Sequence, residues 1–516
     1  MAEVVLVATL TAPLSSDLHE IQKLPDSVTY LQVRADLIGD VSVGRLRSYF
    51  KGKLLYTLRG GRSGGAFADP PLERQQRILA AAQDYDLVEL EAESDLSSTL
   101  LAAITADRRL LSWSGVAGSM AHLHSKFKAM ACTPARYYCL RTTASKTSEG
   151  LQPLLLLQTL GRNDVIAFSE GPSGCWSQLV APHFGSPLVF GQIGSQTISA
   201  SQPAIQQLIH DYGFPALHPF NEIYGIVGNR IFQSPSPCLH NTGYRDLGYP
   251  AFFLPFHVEC FQDFWQQMIE SSTLETLGIP IQGLTVVSPH KEAALVAAEM
   301  HSPMVRKAGS SNVFLRRDGR WEAHTTDPDS IAGINRKYSN GSRCKAAVIG
   351  CGGAGRAVAA ALQQAGAEVT LVNRGPERGQ RAVKLLGLPF VLLSEFQARG
   401  FTLLVNATPI GQQEDDSLPF AIDSLGSETV VVDLAYGTRP TPLVSGTLAR
   451  GGTVIDGHEV VLTQVRRQFQ MMVGRELPAS VGRETIVSRN GGYALSTNGK
   501  PRAEALQALE AGKWSS

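Results

Sequence analysis

Short apolar runs rich in β-branched residues alternate with longer amphipathic runs from residue 4 to about residue 215. The short runs predict strands at residues 4–10, 28–34, 53–59, 87–91, 109–114, 137–143, 164–169 and 187–191. Between them, longer runs such as residues 72–83 and 203–211 predict helices. Eight strands that alternate with helices favour an α/β chain that begins with a (β/α)₈ barrel over residues 1–215. In such barrels the chemistry lies at the carboxyl ends of the strands.

The pattern changes at residues 213–221, where Pro, Gly and Asn predict a linker. A later strand, predicted at residues 346–349, runs directly into a Gly-x-Gly-x-x-Gly turn and an alanine-rich helix. This order is typical of a Rossmann domain, whose glycine turn and helix N-terminus hold the pyrophosphate of a dinucleotide. The candidate cofactor contacts in the turn are Gly350, Gly352, Gly353, Ala354 and Gly355. A glycine-rich junction without a ligand is the alternative interpretation.

The residues after the second Rossmann strand indicate which dinucleotide binds. The strand predicted at residues 369–372 is followed by Asn373 and Arg374, with Arg378 close behind. NAD-binding domains place an acidic residue here for the ribose hydroxyl, and an acid would repel a 2′-phosphate. A guanidinium can instead bind a phosphate through two hydrogen bonds. We therefore predict NADP as the cofactor.

Composition narrows the class of protein further. A chain of 516 residues is long enough for about two to four domains. Its 46 basic and 46 acidic residues balance, which favours a small-molecule substrate over nucleic acid or an anionic membrane. The seven scattered cysteines indicate neither a disulfide framework nor a metal site. With no signal peptide or long apolar span, we expect a cytoplasmic protein, and the oligomeric state stays open.

Segments at the predicted strand ends of the first half resemble the type I 3-dehydroquinate dehydratase family. They are residues 32–36, 58–65, 142–144 and 181–185. The resemblance implies a Schiff-base lysine, a proton-transferring histidine, two acids and an arginine for the substrate carboxylate. At the matching positions this chain has Cys139, Ser114, Gln32, Ser63 and Gln178.

The changed positions decide what we expect of the barrel. Only an amine can form the iminium, so Cys139 does not replace the lysine. We expect a barrel that keeps its fold and has lost dehydratase chemistry. Arg59, Arg62 and Gln202 remain as a possible anion pocket. Lys126 and Lys128 are alternative amines, although surface lysines are the simpler interpretation.

The second half is similar to the shikimate dehydrogenase family, and the whole chain to fused dehydratase–dehydrogenases of the shikimate pathway. The matching segments are residues 234–241, 283–291, 309–312, 323–327, 404–411, 430–436 and 456–464. The resemblance implies a substrate domain over residues 221–335, to which residues 458–480 return. It implies a Rossmann NADP domain over residues 336–457, and it leaves residues 481–516 as a tail.

The same resemblance implies roles for individual residues. Lys291 and Asp327 are the expected catalytic pair. Hydride transfer to a ketone leaves an alkoxide, which an ammonium held by a carboxylate can protonate. The expected substrate contacts are Ser234, Ser236, Asn312, Tyr436 and Gln464, and Thr408 and Gly457 are expected to lie beside the cofactor.

Two differences from the family leave alternative functions open. Val287 replaces a threonine of the family and Thr325 replaces an asparagine, and a lost hydrogen bond to a substrate hydroxyl can change which substrate is preferred. Reduction of 3-dehydroshikimate to shikimate is the predicted reaction. A quinate dehydrogenase, an active bifunctional enzyme and a catalytically inert binding protein are the alternatives.

Overall fold

The computed structural model groups the chain into two compact units, Met1–Ile223 with Gly248–Ile281 and Tyr224–Leu247 with Gln282–Ser516. It describes residues 4–13, 19–68, 70–116, 118–194, 202–329, 331, 344–412, 417–423, 425–437 and 439–489. Most of the predicted tail, from residue 490 onward, therefore lies outside the described residues. Among the described residues, no helix combines the length and apolar character needed to cross a membrane.

The first unit holds an eight-stranded parallel sheet in the order β7-β6-β5-β4-β3-β2-β1-β8. Its strands are β1 (Val5–Leu10), β2 (Val28–Arg34), β3 (Lys53–Thr57), β4 (Leu87–Glu91), β5 (Arg109–Val116), β6 (Tyr137–Thr143), β7 (Val165–Glu170) and β8 (Leu188–Gln192). The two edge strands approach each other, since the rings of Phe168 in β7 and Phe190 in β8 lie 6.1 Å apart, so the sheet curls into a nearly closed barrel. The predicted (β/α)₈ barrel is confirmed.

Helices connect the strands. They are α1 (Ala35–Ile38), α2 (Val43–Arg47), α3 (Pro71–Asp84), α4 (Ser98–Ala103), α5 (Met120–Ala131), α6 (Leu151–Leu160), α7 (Trp176–Val180) and α8 (Ile205–His210). Short 3₁₀ turns lie at Gly61–Ser63, Ala106–Arg108, Thr147–Gly150 and Ala181–Phe184.

Side chains that alternate along the strands fill the interior of the barrel. An apolar layer draws on all eight strands and contains Val7, Tyr30, Leu55, Leu87, Leu110, Cys139, Ile166, Phe168, Leu188 and Phe190. Two residues further along β4 and β6 lie Glu89 and Arg141, on the same faces as Leu87 and Cys139. The interior therefore changes from apolar to charged toward the carboxyl ends of the strands.

Glu89 and Arg141 form an ion pair in which each side chain is only 2% exposed. Arg141 donates to both oxygens of Glu89, at 2.6 Å and 3.2 Å. Burial alone would raise the pKa of Glu89, but the Arg141 charge and hydrogen bonds outweigh it and lower that pKa to about 2. Since the ordinary value is 4.5, the pair stabilises the fold fully above that pH and loses this contribution as the pH falls toward about 2.

Two strands follow the barrel, β9 (Glu222–Gly228) and β10 (Ala251–His257). Residues 248–281, predicted as part of the substrate domain, group with residues 1–223 in one compact unit. Aromatic rings pack between these two stretches. The ring of Phe256 lies 5.5 Å from that of Trp176 in α7, and Phe252 stacks on Phe220 at 4.9 Å.

In the second unit, one sheet runs β9-β11-β13-β14-β12. The added strands are β11 (Ile281–Val286), β12 (Met300–His301), β13 (Val313–Arg317) and β14 (Arg320–His324). Strand β13 pairs antiparallel with both β11 and β14. This sheet carries the residues predicted to bind substrate and transfer protons.

The other sheet of this unit is parallel and runs β17-β16-β15-β18-β19-β20. Its strands are β15 (Lys345–Ile349), β16 (Glu368–Asn373), β17 (Phe390–Leu392), β18 (Leu403–Asn406), β19 (Val430–Asp433) and β20 (Thr453–Ile455). The order of the strands changes direction between β15 and β18, because β16 and β17 lie on one side of β15 and β18 to β20 lie on the other. This is the switch point where doubly wound folds bind dinucleotides. The sheet has the topology of the predicted Rossmann domain.

The helices after the barrel are α9 (Ser236–Leu247), α10 (Phe261–Phe264), α11 (Thr273–Thr276), α12 (Pro303–Ala308), α13 (Gly353–Gln364), α14 (Pro376–Leu386), α15 (Pro442–Ala449), α16 (Gly457–Val473) and α17 (Arg483–Arg489). A π-helix lies at Trp265–Glu270, and 3₁₀ turns lie at Ala293–Ala297 and Leu393–Glu395.

We predict that Glu89→Ala lowers the stability of the barrel by about 3–5 kcal/mol, because it leaves the Arg141 charge buried without its carboxylate. Hydrogen exchange of the β4 and β6 amides measures the loss. Glu93→Ala is the matched control, since the Glu93 side chain is 65% exposed and its ion pair with Lys126 contributes about 1 kcal/mol at most. Equal protection in both variants would contradict the prediction.

Candidate active site

A carboxylate and an ammonium face each other in the second unit. Lys291 follows β11 and Asp327 follows β14. The Lys291 Nζ donates to Asp327 Oδ1 at 3.0 Å and to Oδ2 at 2.8 Å. The side chain of Asp327 is 3% exposed and that of Lys291 is 17% exposed. The carboxylate is thus enclosed while the ammonium keeps access to solvent or to a ligand.

Two amides complete the surroundings of Asp327. Asn312 Nδ2 donates to Oδ1 at 3.2 Å, and Gln464 Nε2 of α16 donates to the same oxygen at 3.1 Å. The structure therefore brings Lys291, Asp327, Asn312 and Gln464 into one cluster. Such a cluster holds a protonated amine in place and leaves it able to give a proton to an oxygen of a bound ring.

A second layer supports this cluster, and the sequence reasoning missed it. Gln468 Nε2 donates to Thr326 Oγ1 at 3.0 Å, and Thr285 Oγ1 donates to Gln468 Oε1 at 3.2 Å. Asn312 Nδ2 also donates to Thr326 Oγ1, at 3.1 Å. The signal was the spacing of Gln464 and Gln468, because residues four apart lie on the same helix face.

The two candidate serines form a pair of their own. Ser234 Oγ donates to Ser236 Oγ at 3.1 Å and accepts from the Ser236 backbone N–H at 3.2 Å. Both residues are buried, and Ser236 begins α9. Tyr436 lies just after β19, half-buried, with its ring 5.9 Å from that of His458.

The glycine turn has the geometry that a phosphate requires. Gly350 has a φ of +106°, a conformation that L side chains rarely adopt. A Cβ on Gly355 would lie 1.8 Å from the Gly350 carbonyl oxygen, so this contact admits only glycine. A Cβ on Gly352, by contrast, would meet nothing within 4 Å. Open space in front of Gly352, at the start of α13, leaves room for an anion, with Gly353 and Ala354 in the first helical turn.

The residues expected to select the cofactor lie beside this turn. Asn373 Oδ1 accepts from the Cys351 backbone N–H at 3.1 Å, and its Nδ2 donates to the Gly375 carbonyl at 2.8 Å. Asn373 therefore holds the turn, while Arg374 and Arg378 are exposed. The two exposed guanidinium groups are available to a phosphate.

Thr408 belongs to a polar network at the ends of β18 and β19. Its N–H and hydroxyl donate to Asn406 Oδ1 at 3.0 Å and 2.6 Å, and Asn406 Nδ2 donates to Asp433 Oδ1 at 2.8 Å. Burial raises the pKa of Asp433, opposed by its hydrogen bonds. Gly457 lies against this network, since a Cβ there would be 2.3 Å from the Ala435 carbonyl oxygen.

In the barrel, two of the side chains at the family's catalytic positions form hydrogen bonds with other parts of the barrel. Gln32 accepts from Thr9 at 2.9 Å and donates to Thr57 at 2.9 Å. Gln178 bonds the backbone of Phe190, and Ser63 and Ser114 are half-buried. Burial raises the pKa of Cys139 to about 12 despite the nearby Arg141 charge, so the thiolate does not form at neutral pH.

The three residues of the possible anion pocket have different surroundings. Arg59 donates to Glu170 at 3.3 Å, Gln202 donates to Thr9 at 3.1 Å, and Arg62 is exposed. Of the alternative amines, the Lys126 Nζ donates a hydrogen bond to Glu93 Oε1 at 2.6 Å and lies over the ring of Trp113. The sequence reasoning missed Arg141, whose spacing of two from Cys139 on one strand was the signal that it points inward.

Three family models match the chain. Residues 5–216 match the type I 3-dehydroquinase family, and residues 226–314 match the shikimate dehydrogenase substrate binding domain. Residues 346–399 match the ketopantoate reductase PanE/ApbA family.

Curated relatives match the chain in whole and in part. A bifunctional 3-dehydroquinate dehydratase/shikimate dehydrogenase of Arabidopsis thaliana, named as chloroplastic, is 25% identical over 454 residues, covering 82% of this chain and 73% of that protein. A shikimate dehydrogenase (NADP(+)) of Halobacterium salinarum is 31% identical over 280 residues, covering 52% of this chain and 99% of that protein. Among solved structures, shikimate 5-dehydrogenase of Thermus thermophilus in complex with NADP(H) and shikimate is 28% identical, with a TM-score of 0.46, covering 52% of this chain and 99% of that one.

The two glycines of the turn give a matched pair of predictions. We expect Gly355→Ala to lower the free energy of unfolding of its domain by about 1–3 kcal/mol, because the added methyl overlaps a backbone oxygen. Gly352→Ala should fold normally and weaken NADP⁺ binding at least about tenfold, because its methyl occupies the space of the phosphate. Thermal unfolding and titration with NADP⁺ measure the two effects. Wild-type affinity in Gly352→Ala would refute the assignment of the turn.

Proposed function

The chain belongs to the shikimate dehydrogenase family, and from that membership we propose that it reduces 3-dehydroshikimate to shikimate reversibly with NADPH. It is a fusion of a type I dehydroquinase domain with a shikimate dehydrogenase domain. The observation that carries the proposal is the hydrogen-bonded cluster of Lys291 and Asp327 with Asn312 and Gln464.

Lys291 is the proposed proton donor. The glycine turn would hold NADPH, which would supply the hydride to the ketone carbon. The carbonyl oxygen gains negative charge as the hydride arrives, and the Lys291 ammonium stabilises that charge and then protonates the oxygen. In the reverse direction, neutral Lys291 accepts the proton of the alcohol. Asp327 keeps the amine in place through both of its oxygens.

The proposed cofactor contacts follow from the turn and its neighbours. The open space at Gly352 and the closed contact between Gly350 and Gly355 support pyrophosphate binding. The exposed guanidinium groups of Arg374 and Arg378 support binding of the 2′-phosphate that distinguishes NADP from NAD. The network around Thr408, with Gly457 beside it, would border the nicotinamide ring.

The proposed substrate contacts combine the serine pair with the amides. Hydroxyl groups of Ser234 and Ser236 can donate to the ring carboxylate, and Tyr436, Asn312 and Gln464 can bind the remaining polar groups. The threonine at position 325 keeps a supporting role, because its Oγ1 accepts from the Asp327 backbone N–H at 3.4 Å. The curated relatives described above are named as shikimate dehydrogenases, and we propose shikimate rather than quinate as the substrate here.

We further propose that the barrel has no dehydratase activity. Its interior holds Cys139 where the family has its lysine, and the Arg141–Glu89 pair lies in the next layer toward the carboxyl ends of the strands. A guanidinium does not form an iminium, and the buried thiol stays protonated. The domain would therefore contribute a fold to this chain without contributing its family's reaction.

Loss of the Lys291 amine should remove most of the dehydrogenase activity. We predict that Lys291→Met lowers kcat for shikimate oxidation by about 10²–10⁴, the usual contribution of a positioned acid or base. Spectrophotometric NADPH formation measures it. Lys384→Met, at an exposed position of α14, is the control and should retain wild-type turnover. Retention of half or more of kcat in Lys291→Met would refute the assigned role.

Borohydride trapping tests the barrel. We predict that incubation with 3-dehydroquinate and borohydride adds no ring-acid mass to any lysine, because no lysine among the described residues of the barrel is buried. Intact-protein mass spectrometry followed by peptide mapping measures the adduct, with a type I dehydratase as the positive control. An adduct on Lys126 or any other lysine of the barrel would overturn the proposal of an inactive domain.

A further inference from the structure

Arg356 is a charged residue that lies inside the second unit. It follows Gly355 in α13 and is only 2% exposed. A guanidinium at such a position must have its N–H groups paired, because burying them without acceptors is costly. Its acceptors therefore show what it holds together.

Those acceptors come from three separate stretches of chain. Nε donates to the Ala308 carbonyl at 2.8 Å, and Nη2 donates to the Gly309 carbonyl at 3.1 Å. Nη1 donates to Glu292 Oε1 at 2.8 Å and to the Cys351 carbonyl at 3.2 Å. One planar group thus contacts the end of α12, the residue after Lys291 and the glycine turn.

Each of these stretches leads directly to a residue of the candidate active site. Glu292 is the sequence neighbour of Lys291, and Cys351 lies inside the turn between Gly350 and Gly352. Gly309 begins the segment that ends at Asn312, which bonds Asp327.

Two further hydrogen bonds connect the same stretches of chain. Ser310 Oγ donates to the Gly353 carbonyl at 2.9 Å, and the Ser311 backbone N–H donates to the Lys291 carbonyl at 3.1 Å. Helix α12 also packs against α13 and α14. The glycine turn and the Lys291 loop are therefore joined by several bonds, with Arg356 at the centre.

We propose that Arg356 is a positioning residue that sets the distance between the phosphate-binding turn and the Lys291–Asp327 pair. This inference rests on the proposed dehydrogenase function. Hydride transfer requires the nicotinamide and the proton donor on one substrate at fixed separation, and small displacements there cost rate. A planar guanidinium with five donors in fixed directions can hold three stretches at once. A lysine ammonium, flexible and smaller, cannot span all four acceptors.

The test compares Arg356→Lys and Glu292→Gln in the full chain. We expect Arg356→Lys to lower kcat at least tenfold while KM for shikimate changes less than threefold, because the substrate contacts themselves remain. Glu292→Gln should lower kcat less, since the three carbonyl bonds of Arg356 persist. Because Glu292 is about half exposed, this variant should fold even if Arg356→Lys does not.

Hydrogen exchange without cofactor gives a reading that does not depend on activity. In Arg356→Lys, or in Glu292→Gln if the former does not fold, peptides covering residues 291–292, 308–312 and 350–356 should lose protection together. Strands β18 and β19 should keep theirs. Kcat within twofold of wild type in both variants, or a uniform rise in exchange across the Rossmann sheet, would overturn the proposal.

Arg381→Gln is the matched control. Arg381 of α14 also contacts Glu292, at 3.6 Å, but it is 67% exposed, and such a surface pair contributes little. The Arg381→Gln variant should match wild type in kcat and in hydrogen exchange. A decrease in kcat equal to that of Arg356→Lys would contradict the specific role of Arg356. If wild-type protein itself shows no turnover of shikimate, the proposed function fails, while the exchange pattern still decides whether Arg356 joins the segments.

Discussion

A buried carboxylate must be neutralised and fully hydrogen-bonded, and Asp327 imposes that requirement on the whole dehydrogenase half. Its partners are 36, 15 and 137 residues away in the sequence, as Lys291, Asn312 and Gln464. Satisfying one side chain therefore fixes the loop after β11, the start of β13 and the helix α16 relative to one another. The proposed proton donor, Lys291, is one of the groups that stabilise this acid.

The two halves of the chain use buried charge in opposite ways. In the barrel, Arg141 and Glu89 are both 2% exposed, so the charges of this pair satisfy each other. In the dehydrogenase half, Asp327 is enclosed but Lys291 is 17% exposed. The barrel pair is therefore closed to solvent, whereas the other pair keeps its ammonium accessible as the proposed proton donor.

The local sequence pattern was sufficient to predict helices and strands, but not the contacts between them. The apolar alternation predicted the bounds of β2, β4 and β6 as they occur. It extended β3 to residue 59, whereas the strand ends at Thr57 because the Arg59 carbonyl accepts from Phe67 in the following loop. The hydrogen-bond partners that lie far apart in the sequence could not be predicted from it. Nothing in the sequence around Arg356 reveals that its guanidinium meets Glu292, 64 residues earlier. The spacing of Arg141 from Cys139 indicates its inward direction, but not that its partner is Glu89, 52 residues earlier.

The most direct measurement is NADPH oxidation by the purified full chain, started from either of two ring acids. Oxidation should begin at once with 3-dehydroshikimate. With 3-dehydroquinate it should begin only after a separate dehydratase is added, because the barrel lacks the amine that its family requires. Oxidation from 3-dehydroquinate without that addition would contradict an inactive barrel. Absence of oxidation from 3-dehydroshikimate would contradict the role of Lys291 and Asp327 as a shikimate dehydrogenase site.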